Sequence, residues 1–97
     1  MPPPLQIQIE EIAIKEIQDA FEWYEMQSKG LGNKFRIALQ DSFDQIQKSP
    51  NGFKKYRFHR QCPMKDFPYV ILYEISGDTL FVDAVFHTKR DPKYKKR

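Results

Sequence analysis

The spacing of apolar positions in residues 5–48 predicts one strand followed by two helices. Residues 5–9 alternate apolar and polar side chains with a period of two, which is typical of a half-buried strand. Apolar residues then recur at helical spacing from about Glu11 to Ser28 and again from about Leu31 to Lys48. Gly30 lies in the short link and is suited to the left-handed conformation that ends many helices. The pattern therefore predicts an antiparallel helical hairpin after the first strand.

The second half of the chain predicts strands. Residues 54–60 alternate again, with aromatic side chains on one face and cationic side chains on the other, which indicates a strand with one solvated face. Residues 61–66, which contain a Cys-Pro pair, are expected to form a loop. Two apolar blocks at residues 67–75 and 80–86 flank the turn sequence Ser76-Gly77-Asp78. These blocks predict a hairpin of two strands that are buried on both faces.

The resulting order, β-α-α-β-β-β, predicts a two-layer α+β domain with the helical hairpin packed on a small antiparallel sheet. The chain has 97 residues, enough for one domain with a modest core. Residues 1–4 contain three prolines and are expected to form a loose N-terminal arm. Residues 91–97 are expected to form a basic C-terminal tail.

Composition narrows the functional class. Cys62 is the single cysteine, which excludes an internal disulfide and a thiolate cluster and fits a reducing compartment. No apolar run approaches the roughly 20 residues of a membrane span, and residues 1–4 do not resemble a signal peptide. We therefore expect a cytoplasmic protein with no membrane partner.

The net charge of +3 is unevenly distributed along the chain. Residues 1–49 carry five Lys or Arg against eight Asp or Glu, a net charge of −3. Residues 50–97 carry eleven Lys or Arg against five Asp or Glu, a net charge of +6. Such an arrangement favours an anionic partner, although lysines and arginines also serve simply to solvate an outer face.

Candidate chemistry is concentrated in the cationic half. His59 and His87 are the only histidines, and no Cys, Asp or Glu stands beside either at ligand spacing, so we expect neither a metal site nor a cofactor. Arginine and lysine with a histidine or tyrosine can cleave RNA without metal, or can simply hold an anionic surface. The cationic and aromatic candidates are Lys54, Lys55, Arg57, His59, Arg60, Lys65, His87, Lys89, Arg90, Lys93 and Tyr94.

Four segments carry a family resemblance that extends from Ile7 to Pro92. The segments are Ala20-Phe21-Glu22-Trp23-Tyr24-Glu25, Gly30-Leu31-Gly32 with Phe35, Phe67-Pro68-Tyr69-Val70-Ile71-Leu72-Tyr73, and Val85-Phe86-His87-Thr88-Lys89-Arg90-Asp91-Pro92. In this order and spacing they resemble the RelE/ParE superfamily of bacterial type II toxins. The resemblance implies a cognate antitoxin as partner. It also implies one of two activities: RelE-like members cleave messenger RNA on the ribosome, and ParE-like members inhibit DNA gyrase.

The resemblance favours the ParE-like branch. Arg57, His59 and Arg90 match basic positions of the RelE pattern, and Tyr94 lies near its C-terminal tyrosine at a different spacing. Val70, however, stands where RelE-like members carry an arginine, and loss of such a phosphate clamp can remove about 3 kcal/mol of transition-state stabilisation. The ending His87-x-x-Arg90-Asp91-Pro92 looks ParE-like.

The resemblance therefore implies a toxin that binds and inhibits a target such as DNA gyrase. The first alternative is a ribosome-dependent messenger RNA endonuclease, and the second is a degenerate, non-toxic binding partner. A homodimer or a toxin–antitoxin hetero-oligomer is compatible with each. In the endonuclease alternative the catalytic residues are Arg57, His59, His87 and Arg90. The residues expected to bind the target or an anion are Lys54, Lys55, Arg57, Arg60, Lys89, Arg90 and Tyr94.

Overall fold

The computed structural model describes residues 4–89, without the side chain of Tyr56. The elements along the chain are β1 (Gln6–Ile9), α1 (Glu11–Gln27), α2 (Leu31–Lys48), β2 (Lys55–Tyr56), β3 (His59–Pro63), β4 (Tyr69–Ser76) and β5 (Thr79–His87). The two-layer α+β class and the predicted order are confirmed, with the two-residue β2 as an addition. Within residues 4–89, neither helix is long and apolar enough to cross a membrane.

The five strands form one sheet in the order β1-β5-β4-β3-β2. Neighbouring strands from β2 to β5 are antiparallel, whereas β1 pairs with β5 in parallel. The sheet is thus mixed at one edge rather than antiparallel throughout. The parallel pair is possible because the helical hairpin separates β1 from the other strands and supplies the long connection that parallel pairing needs.

Residues 54–60 do not form the single strand that their alternation predicted. β2 pairs with β3 through Tyr56 and His59, so Arg57 and Phe58 are the two residues of a tight hairpin turn. Arg57 has a φ of 58°, in the left-handed region. Phe58, expected on an apolar face, is 84% exposed because it lies in this turn. An alternating pattern reports side-chain direction only where the chain stays extended.

The loop predicted for residues 61–66 is also wrong in its first half. Gln61–Pro63 continue β3, and Cys62 is fully buried opposite Ile71 of β4. Pro63 is the last residue of β3, a position where a missing amide donor is tolerated.

The sheet buries a cluster of apolar residues on each face. On the helix-covered face, Tyr24 of α1 and Phe35 of α2 pack against each other and against Tyr69 of β4, with ring centroids 5.3–6.2 Å apart. This cluster is the main core, because it joins both helices to the sheet. A second, smaller cluster occupies the helix-free face. Its members are Leu72, Ala84 and Phe86.

A β-bulge interrupts the pairing of β4 with β5. Leu72 lies opposite Ala84, but the next residue, Tyr73, lies opposite Val82. Asp83 is therefore the extra residue of β5 in the bulge. Bulges of this kind change the direction in which a side chain leaves the strand.

Candidate functional site

The candidate residues within 4–89 fall into two groups at opposite ends of β4. The side chain of His59 contacts that of Glu74 near one end of β4, and His87 lies opposite Tyr69 at the other end. Glu74 and Tyr69 are five positions apart along an extended strand, a distance of about 17 Å. The two histidines also lie on opposite faces, since Glu74 shares the helix-free face with Leu72, whereas Tyr69 belongs to the helix-covered core. They cannot act on one scissile bond.

His59 is held by two carboxylates on the helix-free face. Its Nε2 lies 2.9 Å from Oδ2 of Asp83 and 3.4 Å from Oε2 of Glu74. The side chains are partly exposed, 32% for His59, 22% for Asp83 and 44% for Glu74. Two negative groups beside the imidazole repel a phosphodiester, so this histidine is poorly placed to activate an RNA hydroxyl.

Glu74 and Asp83 were missed by sequence reasoning. Each is a charged residue inside an otherwise apolar block, one in β4 and one in β5. A charged side chain inside a strand of this kind needs a partner, because burying an unpaired charge is costly. A charge inside an apolar block was thus the signal that the sequence offered. It did not identify the partner, because His59 lies on a third strand.

The second group of candidate residues, at the end of β5, is held in place by local hydrogen bonds. The His87 ring packs edge-on against Tyr69, with centroids 5.2 Å apart, and its Nδ1 accepts a hydrogen bond of 3.1 Å from the amide of Lys89. The amide of Thr88 donates to the carbonyl of Pro68 at 2.9 Å. These contacts fix the direction in which the chain leaves the sheet. Arg90, Lys93 and Tyr94, which were predicted to continue this group, lie outside the described residues.

The exposed cations of the other group surround the β2–β3 turn. Lys54, Lys55 and Arg57 are exposed, and the exposed Phe58 follows Arg57 in the turn. Arg60 differs, because it is partly buried and its Nη1 donates to the carbonyl of Phe53 at 2.9 Å. Its first role is thus to hold the segment before β2. We call Arg57 and Phe58 the hairpin tip.

The two buried groups with nucleophilic atoms are not activated. Burial raises the pKa of the Cys62 thiol to about 11. Burial also raises the pKa of Tyr73 to about 12, against an opposing effect of Arg60. The Tyr73 hydroxyl donates to the carbonyl of Pro50 at 2.8 Å. Both groups stay protonated at neutral pH and serve the core.

An open groove of about 800 Å³ runs between the two helices and the end of β1. Its apolar lining consists of Ile9, Ile17, Phe21, Ile37, Leu39 and Phe43. Glu22 and Arg36 bring opposite charges to its lining. Ile37 is 55% exposed there. The groove therefore offers an apolar surface with charged residues of both signs, which suits an amphipathic segment.

Comparison with known proteins identifies the family of the chain. Residues 7–92 match the model of the family described as the ParE toxin of the type II toxin–antitoxin system, parDE. Among solved structures, a chain of the chromosomal ParDE toxin–antitoxin system from P. aeruginosa has the same fold, with a TM-score of 0.68. The sequences are 14% identical, and the match covers 88% of this chain and 97% of that chain. A search of curated proteins finds no match.

Proposed function

The chain belongs to the ParE toxin family of type II toxin–antitoxin systems, and on that basis we propose that it acts by binding and inhibiting DNA gyrase, without nuclease chemistry. The observation that carries the proposal is the separation of His59 from His87, on opposite faces and at opposite ends of β4. His59 and His87 are thus too far apart to act together as an acid–base pair.

The middle strand supports the same conclusion. Val70 of β4 is 3% exposed and lies opposite Phe86 on the helix-free face. A cation at this position would have been available to clamp a phosphate, and valine supplies none. The valine thus supports binding, rather than transition-state stabilisation, as the activity of this surface.

We assign target contact to the hairpin tip and the neighbouring Lys54 and Lys55. Phe58 is the most exposed large apolar side chain among the described residues. An aromatic side chain next to arginine is typical of residues that dominate binding energy at protein interfaces. The cations suit an acidic protein surface and accelerate its association with this chain.

A supercoiling assay with purified gyrase tests the proposal. The full chain is expected to inhibit, and Phe58→Ser is expected to raise the concentration for half inhibition at least tenfold. Met26→Ser is the matched control, because Met26 is 83% exposed and belongs to α1 rather than to the β2–β3 turn. Normal supercoiling at a large excess of the full chain contradicts gyrase as the target. Full inhibition by Phe58→Ser contradicts only the assigned surface.

A ribosome-dependent endonuclease is the second candidate, favoured by Arg57 lying two residues before His59 at an exposed turn. Primer extension on translated messages separates the two functions. Codon-linked cuts that disappear in Arg57→Ala replace the gyrase proposal with the nuclease. Normal growth of cells that express the chain without an antitoxin supports a degenerate, non-toxic protein instead.

For the antitoxin we propose an amphipathic segment seated in the groove between the helices. Its apolar side would cover Ile37, and its charged flanks would meet Glu22 and Arg36. Ile37→Asp is expected to weaken the complex with the product of the neighbouring gene at least tenfold. Ile12→Asp is the control, since Ile12 is similarly exposed, at 53%, and is not part of the groove lining. Equal weakening by both variants contradicts this docking surface.

A further inference from the structure

The helix-free face gathers three metal-ligating side chains from three adjacent strands. His59 comes from β3, Glu74 from β4 and Asp83 from β5. One donor atom of each, an imidazole nitrogen or a carboxylate oxygen, lies within 4.8 Å of the other two. The nitrogen-to-oxygen distances from His59 Nε2 are 2.9 Å to Asp83 and 3.4 Å to Glu74.

The sheet itself creates this cluster. β3 and β5 are separated by β4, so their backbones are about 10 Å apart, and two side chains meet only if both lean over the middle strand. Asp83 does so from the bulge, where it is the extra residue of β5. Glu74 follows Tyr73, which lies opposite Arg60, the residue next to His59. Strands hold all three positions, which gives better-defined geometry than loops provide.

The donor set and its spacing fit a divalent transition metal. Zn²⁺ binds imidazole nitrogen and carboxylate oxygen at about 2.0–2.2 Å, so tetrahedral ligand atoms lie about 3.3–3.5 Å apart. The separation of 3.4 Å between His59 and Glu74 matches this spacing, and the 2.9 Å between His59 and Asp83 has to lengthen by about half an ångström to admit the ion. Partial exposure of all three side chains leaves room for water as a fourth ligand. We propose that His59, Glu74 and Asp83 form a metal site for Zn²⁺ or a similar transition-metal ion.

Charge supports the assignment. A neutral imidazole with two carboxylates carries a net charge of −2, which a divalent cation balances. The metal replaces the contacts that the imidazole makes with the carboxylates, and its binding requires His59 to be unprotonated. The bound ion joins three strands at the base of the hairpin tip. It therefore stabilises the folded sheet by mass action.

Calorimetric titration of the full chain, free of any histidine tag, with ZnCl₂ tests the site. We expect saturable binding of one equivalent, and Co²⁺ in its place is expected to give a visible ligand-field spectrum with nitrogen and oxygen ligands. Zn²⁺ is also expected to raise the melting temperature. His59→Gln, Glu74→Gln and Asp83→Asn are each expected to weaken binding at least about tenfold.

His87→Gln is the matched control, because His87 lies at the other end of the sheet and on the other face. Circular dichroism of each variant checks that it folds before titration. Two results support an ion pair with no metal function and overturn the proposal: no saturable binding of either ion, or binding by His59→Gln equal to that of the unaltered chain. Loss of binding in His87→Gln alone also overturns it.

Discussion

The carboxylate of Glu16 in α1 accepts a hydrogen bond from the backbone amide of Val85 in β5, with 2.9 Å between Oε1 and the amide nitrogen. β1 ends at Ile9, opposite Val82, so β5 continues beyond the end of its parallel neighbour. A helix side chain thus takes the place of the missing strand at this point. The bond also connects residues 69 positions apart in the sequence.

Replacing Glu16 with alanine is therefore expected to destabilise the fold. The change leaves the partly buried amide of Val85 without this acceptor, which costs about 1–3 kcal/mol of unfolding free energy. Glu16→Gln keeps a carbonyl oxygen at the same length and is expected to retain most of the stability. Glu22→Ala, on the exposed side of α1, controls for the loss of a helical glutamate. Urea unfolding followed by circular dichroism measures all three, and equal loss in the alanine variants contradicts the assignment.

The hydroxyl of Tyr73 anchors the segment between α2 and β2, because it donates to Pro50. Tyr73→Phe removes that donor and keeps the buried ring, so it is expected to lower the unfolding free energy by about 1 kcal/mol. Arg60→Met removes the second anchor of the segment, the bond to the carbonyl of Phe53. Hydrogen exchange is expected to show faster exchange within residues 49–54 in both variants. Unchanged protection there shows that the two bonds do not hold the segment.

Stability is expected to fall as the pH rises above about 9. The Cys62 thiol has an unfolded pKa of 9.0 and a folded pKa of about 11. Tyr73 moves from 10.0 to about 12. Between these values the unfolded chain has lost a proton that the folded chain keeps, so raising the pH favours unfolding. Each group accounts for a loss on the order of 2–3 kcal/mol once the pH passes its folded pKa.

Denaturant unfolding at pH 8, 9, 10 and 11 checks this dependence. Cys62→Ala removes the contribution that begins near pH 9, so its curve is expected to stay flatter up to about pH 10, where Tyr73 begins to contribute. The same slope in Cys62→Ala and in the unaltered chain contradicts the assignment to the thiol.

The helices could be predicted from the sequence because each has a long amphipathic pattern and a clear boundary. Gly30 adopts a φ of 89° at the helix link, and Gly77 adopts a φ of 61° in the predicted turn between β4 and β5. The β2–β3 turn could not be predicted in the same way. Its left-handed residue is Arg57, which carries no signal of that conformation.

The candidate site depended on information that periodicity does not contain. Alternation gives the face of each residue within its own strand, but the pairing register decides which residues meet across strands. The contact of His59 with Asp83 requires the order β3-β4-β5 and a bulge at Asp83. The separation of His59 from His87 has the same origin, because it follows from the register of β4 with both neighbours.

Gly32→Ala is expected to destabilise the chain, although Gly32 lies in α2 and alanine is normally the better residue in a helix. Alanine favours the helix by about 1 kcal/mol over glycine. A Cβ at this position, however, would lie 2.9 Å from both the ring and the backbone carbonyl oxygen of Phe21, and 3.0 Å from the carboxylate of Glu25. That carboxylate also accepts hydrogen bonds from the amides of Gly30 and Gly32, at 3.0–3.1 Å.

The backbone of α1 cannot move aside without losing these bonds. Overpacking of this kind typically costs about 1–3 kcal/mol, so the helix preference is outweighed. Asn33→Ala, at the exposed neighbouring position, has the propensity gain without the overlap and is expected to be neutral or stabilising by a few tenths of a kcal/mol. Thermal and urea unfolding compare the two variants. Equal stability of the Gly32→Ala and Asn33→Ala chains would contradict the prediction. It would mean that the two helices can move apart to admit the Cβ at no cost.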